Sequence, residues 1–310
     1  MRALDLGLRT LALLPHPLLH RGAQLLGAGL SLVQRDRRAL VRANLARVCG
    51  YLDARDIGSP AARRAAHDPR AMDRLVRQAF GHYVRTYLDT ALAHRYTPES
   101  VDRRLTLEDP DALDRTLAAV GDPASRGLIL IALHFGSIEL AGMWINARAG
   151  LPMTVPMETI GNAAVQDYLM QGRSMAGLRV VPVEGVAREL QGALTRGEGV
   201  AIVADRPLDK PGRMVPLFGT PASLPAGAAL LAAQSQATVI VAAARRDGWG
   251  RYRGRVVPIQ LPASGTRRDR VAAIMEAQVR AFEGFVADAP EQWWTLFFPI
   301  WPDIPEGSNR

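Results

Sequence analysis

The chain has 310 residues, 48% of them hydrophobic and 22% charged, a balance that excludes a disordered chain and a many-span membrane protein. Its formal net charge is +8 and nearly all of the basic charge is arginine, Lys210 being the one lysine, so the expected partner is anionic: nucleic acid, phospholipid headgroups or a phosphate-bearing molecule. An arginine bias of genomic origin gives the same composition. The single cysteine, Cys49, excludes an internal disulfide and a cysteine-ligated zinc, and favours a reducing, cytoplasmic-side location.

Residues 10–33, TLALLPHPLLHRGAQLLGAGLSLV, are apolar but interrupted by Pro15, Pro17 and Arg21. The uncharged stretch after Arg21 falls short of the roughly 20 apolar residues of a spanning helix. Acidic Asp5 and the prolines also spoil a signal-peptide pattern. A segment lying on a bilayer fits, as does an ordinary core-facing helix. Directly after it come Arg35, Arg37, Arg38, Arg42 and Arg47, which at helical spacing make a basic surface suited to anionic headgroups. No aromatics for base stacking interleave with these arginines, and no standard nucleic-acid motif is present, so a nucleic-acid partner is not expected.

Residues 51–69 read as loop, with Gly58-Ser59-Pro60 and Asp68-Pro69 as breakers. Helical periodicity returns over 70–95, and a short helix near 110–120 begins at Asp109-Pro110. From residue 127 the pattern changes. GLILIAL (127–133) is a continuous apolar run, the signature of a strand covered on both faces. Comparable runs occupy 153–157, 179–183, 199–204, 237–243 and 252–259. Helical stretches at 137–148, 163–176, 186–196, 225–235 and 267–287 alternate with several of them. The expected fold is α/β: a mixed, largely parallel central sheet flanked by helices, with an N-terminal helical region. The expected division is a membrane-apposed helical region over 1–125 and a catalytic core over 126–310.

Several chemistries are excluded by their motifs. A P-loop needs Gly-Lys, and Lys210 follows Asp209. The nearest match to a serine-hydrolase elbow, Gly172-Arg173-Ser174-Met175-Ala176, lacks its last glycine, and no histidine follows Ser174. No Cys/His cluster points to a metal. What remains is His134-Phe135-Gly136-Ser137-Ile138-Glu139. A histidine followed five positions later by an acid is a weak signal, and His94 with Glu99 makes another such pair. Context separates them. His94 leads into a loop composition, whereas His134 ends an apolar strand and is followed by a turn, an N-cap candidate and a helix.

The carboxyl end of a strand in an open α/β sheet is where ligands bind. There an imidazole, which titrates near neutrality, is placed to take a hydroxyl proton. A carboxylate on the next helical turn is placed to fix its tautomer. Backbone N–H groups at the helix start are placed to face an oxyanion. A structural histidine at a strand end is the competing reading.

The segment resembles the His-x-x-x-x-Asp/Glu acyltransferases, specifically the bacterial lipid A lauroyl/myristoyl acyltransferase family and its phosphatidylinositol mannoside acyltransferase relatives. The resemblance spans RALVRANLARVCG (38–50), AFGHYVRTYLD (79–89), RGLILIALHFGSIELAGMW (126–144), GEGVAIVADRPLDKPGRMVPLFGTPASLPAGAALLA (197–232) and PEQWWTLFFPIW (290–301). With Trp293, Trp294, Pro299 and Trp301, the last of these is closer to the mannoside branch.

The resemblance implies a glycerolipid acyltransferase-like fold, His134 as general base and Glu139 as its partner. It also implies Arg173 near a donor or acceptor phosphate and Glu158 at another substrate position. Asp205 and Arg206 match a strand-end pair that is either a substrate contact or a structural salt bridge. The implied donor is acyl-CoA or acyl carrier protein, with no cofactor, metal or covalent acyl-enzyme. The implied acceptor is a membrane glycolipid of the phosphatidylinositol mannoside type, at the cytoplasmic face of the inner membrane, with the protein peripheral or monotopic. A lipid A precursor or a lysophospholipid is the alternative acceptor; an acyl-ester hydrolase and a non-enzymatic membrane-binding protein are the alternative functions. Arg35, Arg37, Arg38 and Arg42 are the expected membrane contacts, joined by Trp293, Trp294 and Trp301 unless those rings close the core instead.

Overall fold

The computed structural model describes residues 15–92, 97–120, 126–159, 161, 166–167, 170, 173–174, 177–206, 212–248 and 250–304. Asp5, His94 and Lys210 lie outside these, as does most of the helix expected over 163–176.

Four helices come first: α1 (His16–Val33), α2 (Arg35–Ala54), α3 (Pro60–His67) and α4 (Pro69–Leu92). The loop expected over 51–69 is largely helical. Pro60 stands in the first turn of α3, where its missing N–H is no loss, and the Ser59 hydroxyl accepts from the Ala62 N–H at 3.3 Å. The residues read as breakers are a helix start. Helix α1 lies on α4, with Gly27 against the Phe80–Gly81 backbone. It leaves Leu18, Leu25, Leu26, Leu32 and Val33 exposed. Among the described residues no helix is long and apolar enough to cross a membrane.

After α5 (Pro98–Asp102) comes β1 (Leu105–Leu107), then α6 (Pro110–Val120), whose start is held by Asp109 accepting from the Ala112 N–H at 3.0 Å. The remaining elements are β2 (Leu128–Ala132), α7 (Ile138–Ala149), β3 (Met153–Met157), β4 (Leu178–Pro182), α8 (Ala187–Thr195) and β5 (Gly199–Val203). They continue with β6 (Arg213–Leu217), β7 (Thr220–Leu224), α9 (Gly227–Gln234), β8 (Thr238–Arg246), β9 (Tyr252–Ile259) and α10 (Arg267–Asp288). Two short 3-10 turns, Pro290–Gln292 and Trp294–Phe297, follow.

Seven strands form one sheet in the order β1-β9-β8-β2-β5-β3-β4. The run from β8 to β4 is parallel, while β9 is antiparallel to β8 and carries β1 parallel to itself. The sheet is therefore mixed and largely parallel, as the alternation of apolar runs and helices implied. Strands β6 and β7 form a separate antiparallel hairpin.

Every residue of β2 is buried. Alternate side chains leave opposite faces of a strand: Ile129 and Ile131 join a core with α2, α4, α9 and α10, while Leu128 and Leu130 join a second core with α7. Each such side chain contributes about 1.5–3 kcal/mol on burial. The N-terminal helices share the first of these cores with the sheet, and β1 joins the sheet from before residue 126.

Candidate active site

The parallel register of β2 and β5 builds the site. Ala132 lies opposite Val203, and two residues further along each strand the chain reaches His134 and Asp205. Both side chains therefore arrive at the same carboxyl rim of the sheet. His134 Nδ1 lies 2.8 Å from Asp205 Oδ1, and the His134 backbone N–H donates to Asp205 Oδ2 at 3.0 Å. The carboxylate side chain is wholly buried and the imidazole is 28% exposed.

Two further groups donate to Asp205 Oδ2: the Trp293 indole N–H at 2.9 Å and the Thr295 hydroxyl at 2.6 Å. Burial pushes the Asp205 carboxyl up, but the His134 charge and the hydrogen bonds from His134, Thr295 and Trp293 outweigh it and hold the group below its ordinary value. An ionised carboxylate accepts only, so Nδ1 carries the proton in this pair and Nε2 presents its lone pair. Among the described residues nothing hydrogen-bonds Nε2. The Trp294 ring packs against the imidazole with centroids 5.0 Å apart, and its backbone N–H donates to the His134 carbonyl at 2.7 Å.

The turn after His134 requires glycine. Gly136 has φ +56°, and a Cβ there would overlap the Ala244 carbonyl oxygen of β8. The Gly136 N–H donates to the Gln292 carbonyl at 3.1 Å and the Ser137 N–H to the Ala244 carbonyl at 2.9 Å. These two amides are committed to the fold, so the expectation that the helix start offers them to an oxyanion does not hold for them. Ser137 occupies the N-cap of α7, but its hydroxyl makes no capping bond.

In the structure Glu139 is paired elsewhere than with His134. Its side chain sits on the first turn of α7 and pairs with Arg173, whose Nη2 lies 2.8 Å from Oε1. The Asp205 carboxylate already occupies the Nδ1 edge of the ring. Five residues along the chain, through a glycine turn and into a helix, aim Glu139 elsewhere. The Glu139–Arg173 pair instead lines an apolar cleft between α7 and the sheet. The cleft has a cavity volume of about 60 Å³ and is walled by residues such as Leu130, Ala132, Ile145, Val155, Ala201 and Val203. On the other side of the rim, Arg206 Nη2 lies 2.5 Å from Glu158 Oε1, and the Arg206 guanidinium stacks 4.7 Å from the Phe298 ring.

This arrangement is a strand-end imidazole held by a buried carboxylate, two residues beyond the strand ends that wall an apolar cleft. The sequence profile described as bacterial lipid A biosynthesis acyltransferase matches residues 4–301. The chain belongs to that family. It is an acyltransferase, and its chemistry calls for an acyl donor and a lipid acceptor. Similar proteins include the phosphatidylinositol mannoside acyltransferase of Mycobacterium tuberculosis, 30% identical over 275 residues that cover 87% of this chain and 79% of the relative. The protein of the same name from Mycolicibacterium smegmatis is 28% identical over 262 residues, 83% of this chain and 77% of the relative.

The remaining expected site residues of this acyltransferase divide sharply. Trp293 and Trp301 are each 1% exposed and belong to the core, so neither is a membrane contact. They are buried because their indole N–H groups have internal acceptors: Asp205 for Trp293, and the Leu217 and Thr220 carbonyls for Trp301. Trp294 is half-buried against His134. Arg38 and Arg42 share Asp73, at 3.1 and 2.5 Å, and Arg37 reaches the Tyr83 hydroxyl, while Arg35 is exposed. The basic surface of α2 is thus partly spent on the fold.

The residues missed by motif reading are Thr295 and Trp293 as partners of Asp205. Their one sequence signal is a dense aromatic segment directly after a long helix. Cys49 is buried, and burial pushes its thiol up to about 12, so it offers no nucleophile. Among the described residues no group of acidic, histidine or cysteine side chains could hold a metal.

Proposed function

We propose that this acyltransferase moves a fatty acyl chain from a thioester of coenzyme A or acyl carrier protein onto a hydroxyl of a phosphatidylinositol mannoside-type glycolipid. The observation that carries the reading is the His134–Asp205 pair at the carboxyl rim of the sheet, two residues beyond Ala132 and Val203 of the apolar cleft's wall. The acceptor hydroxyl gives its proton to His134 Nε2 as its oxygen attacks the thioester carbonyl carbon. Asp205 stabilises the imidazolium that forms. The tetrahedral intermediate then collapses, the C–S bond breaks, and the leaving thiolate takes the proton back from Nε2. Arg173, on the cleft wall, supplies the cation for the developing oxyanion in this scheme. The scheme uses no metal and no cofactor beyond the donor.

The choice of acceptor rests on the names of the two mycobacterial relatives. The protein works peripherally at the cytoplasmic face of the membrane. The exposed leucines of α1 recur at 18, 25 and 32, a single helical face, and Arg35 follows directly. An apolar stripe beside basic charge is what an anionic bilayer surface binds.

The test supplies purified enzyme with radiolabelled acyl-CoA and, in parallel, a phosphatidylinositol mannoside, a lipid A precursor, a lysophospholipid, or no acceptor. Label in the mannoside supports the proposal. Label in another lipid, or as free fatty acid, overturns the acceptor or the reaction. The His134→Ala enzyme is expected to lose about 10²–10⁴-fold in rate.

A further inference from the structure

The cleft between α7 and the sheet has a floor, and the strand register locates it. On the α7 side, side chains come in levels two residues apart. Ala132 and Val203 form the rim level, Leu130, Ala201 and Val155 the next, and Leu128, Gly199, Met153 and Leu178 the deepest. The cleft touches the upper two levels and reaches Met153 and Leu178, but it reaches neither Leu128 nor Gly199 behind them. The reason is the Met153 side chain. It lies folded across Gly199, so closely that a Cβ at residue 199 would overlap the Met153 sulfur. Met153 is 1% exposed. Ile145 of α7 lines the cleft as well.

We propose that Met153, seated over Gly199, is the stop that sets the length of acyl chain this enzyme accepts. The inference rests on the reading of the cleft as the acyl site. Rim to floor spans two levels, about 13 Å at about 3.3 Å per residue. An extended chain advances about 1.3 Å per carbon, so the sheet covers about ten methylenes before the thioether blocks the way. A methionine is a suitable stop because its unbranched side chain fits an irregular gap. The glycine opposite is what lets it lie flat. Any larger residue at 199 lifts the sulfur into the cleft.

Two substitutions therefore act in opposite directions. Met153→Ala opens the space over Gly199 and is expected to shift the preferred donor about two to four carbons longer; Gly199→Ala pushes Met153 inward and shifts it about two carbons shorter. Discrimination between adjacent lengths is expected to change by about tenfold or more, the usual effect of one methylene in an apolar pocket. The assay is kcat/KM for saturated acyl-CoA thioesters of graded length with a phosphatidylinositol mannoside acceptor, with Met153→Val as substitute should Met153→Ala fail to fold.

Unchanged length profiles in both variants overturn the assignment. A third variant separates that failure from failure of the underlying reading. Gly142 lines the middle of the cleft with open space beside it, so Gly142→Phe fills the channel. Loss of long-chain transfer in Gly142→Phe with unaltered profiles at 153 and 199 would refute only the floor. Wild-type behaviour of Gly142→Phe would refute the acyl cleft, and the floor with it.

Discussion

Replacing Asp205 by asparagine tests the assignment of His134's partner most directly. The carboxylate receives four hydrogen bonds: three on Oδ2, from the His134 N–H, Trp293 and Thr295, and one on Oδ1, from His134 Nδ1. An asparagine side chain has one accepting oxygen. Placed where three donors converge, that oxygen leaves the NH2 facing Nδ1. The imidazole must then accept at Nδ1 and carry its proton on Nε2, the tautomer that cannot serve as a base. In serine proteases the equivalent change lowers kcat by about 10⁴-fold, and a loss of about 10³–10⁴-fold in kcat is expected here, with KM nearly unchanged. Stability falls by about 1.5–3 kcal/mol, the scale of hydrogen bonds to a buried charge. Glu139→Gln, by contrast, disturbs only the pairing with Arg173 and leaves the tautomer intact. The assay is steady-state acyl transfer by both purified variants. Near-normal kcat in Asp205→Asn, together with a thousandfold loss in Glu139→Gln, would refute the assignment.

Gly136→Ala forces a left-handed turn to carry a side chain against the Ala244 carbonyl; the resulting shift of His134 is expected to cost about 10²-fold in kcat, measured on enzyme confirmed to be folded. Burial raises the Glu291 carboxyl from 4.5 to about 7, its own backbone N–H and the Arg245 charge opposing the shift less strongly. The unfolded chain releases this proton first, so the stability tied to it is full below the ordinary carboxylate range and is lost as pH climbs through about 7, at most about 3 kcal/mol. Glu291→Gln should therefore melt higher than the parent at pH 8 and match it near pH 4.5, and parallel melting curves across that range would contradict this. Asn44 donates to the Leu296 and Phe298 carbonyls at 2.8 and 2.9 Å from a fully buried position. Asn44→Ala is expected to destabilise by about 2–4 kcal/mol in urea titration and to lower acyl transfer by loosening the segment that holds Asp205.

The sheet was legible because its strands are buried on both faces. Runs such as GLILIAL and ATVIVAA have no polar break and stand between helical stretches. His134 was legible for the same reason, as a polar residue where such a run stops. Its partner was not. Spacing along the chain favours the nearby Glu139, whereas Asp205 lies 71 residues away and meets His134 only through the parallel register of β2 and β5. Apolar runs without alternation carry little register information. The short edge strand β1 and the β6–β7 hairpin, with Pro216 and Pro221 facing each other, were equally silent. The C-terminal tryptophans read as interfacial because composition does not reveal the internal acceptors waiting for their N–H groups. The loop expected over 51–69 failed for a simpler reason: proline after serine begins helices as readily as it ends them.

The Asp205 carboxylate is held in position by donors 88 and 90 residues downstream of it. A growing polypeptide therefore carries His134 long before it has a working base. On the proposed mechanism, acyl transfer switches on only when synthesis has passed Thr295 and the aromatic segment has closed beneath the carboxylate. A messenger cut short of that codon yields an inert product, unable to squander activated fatty acid.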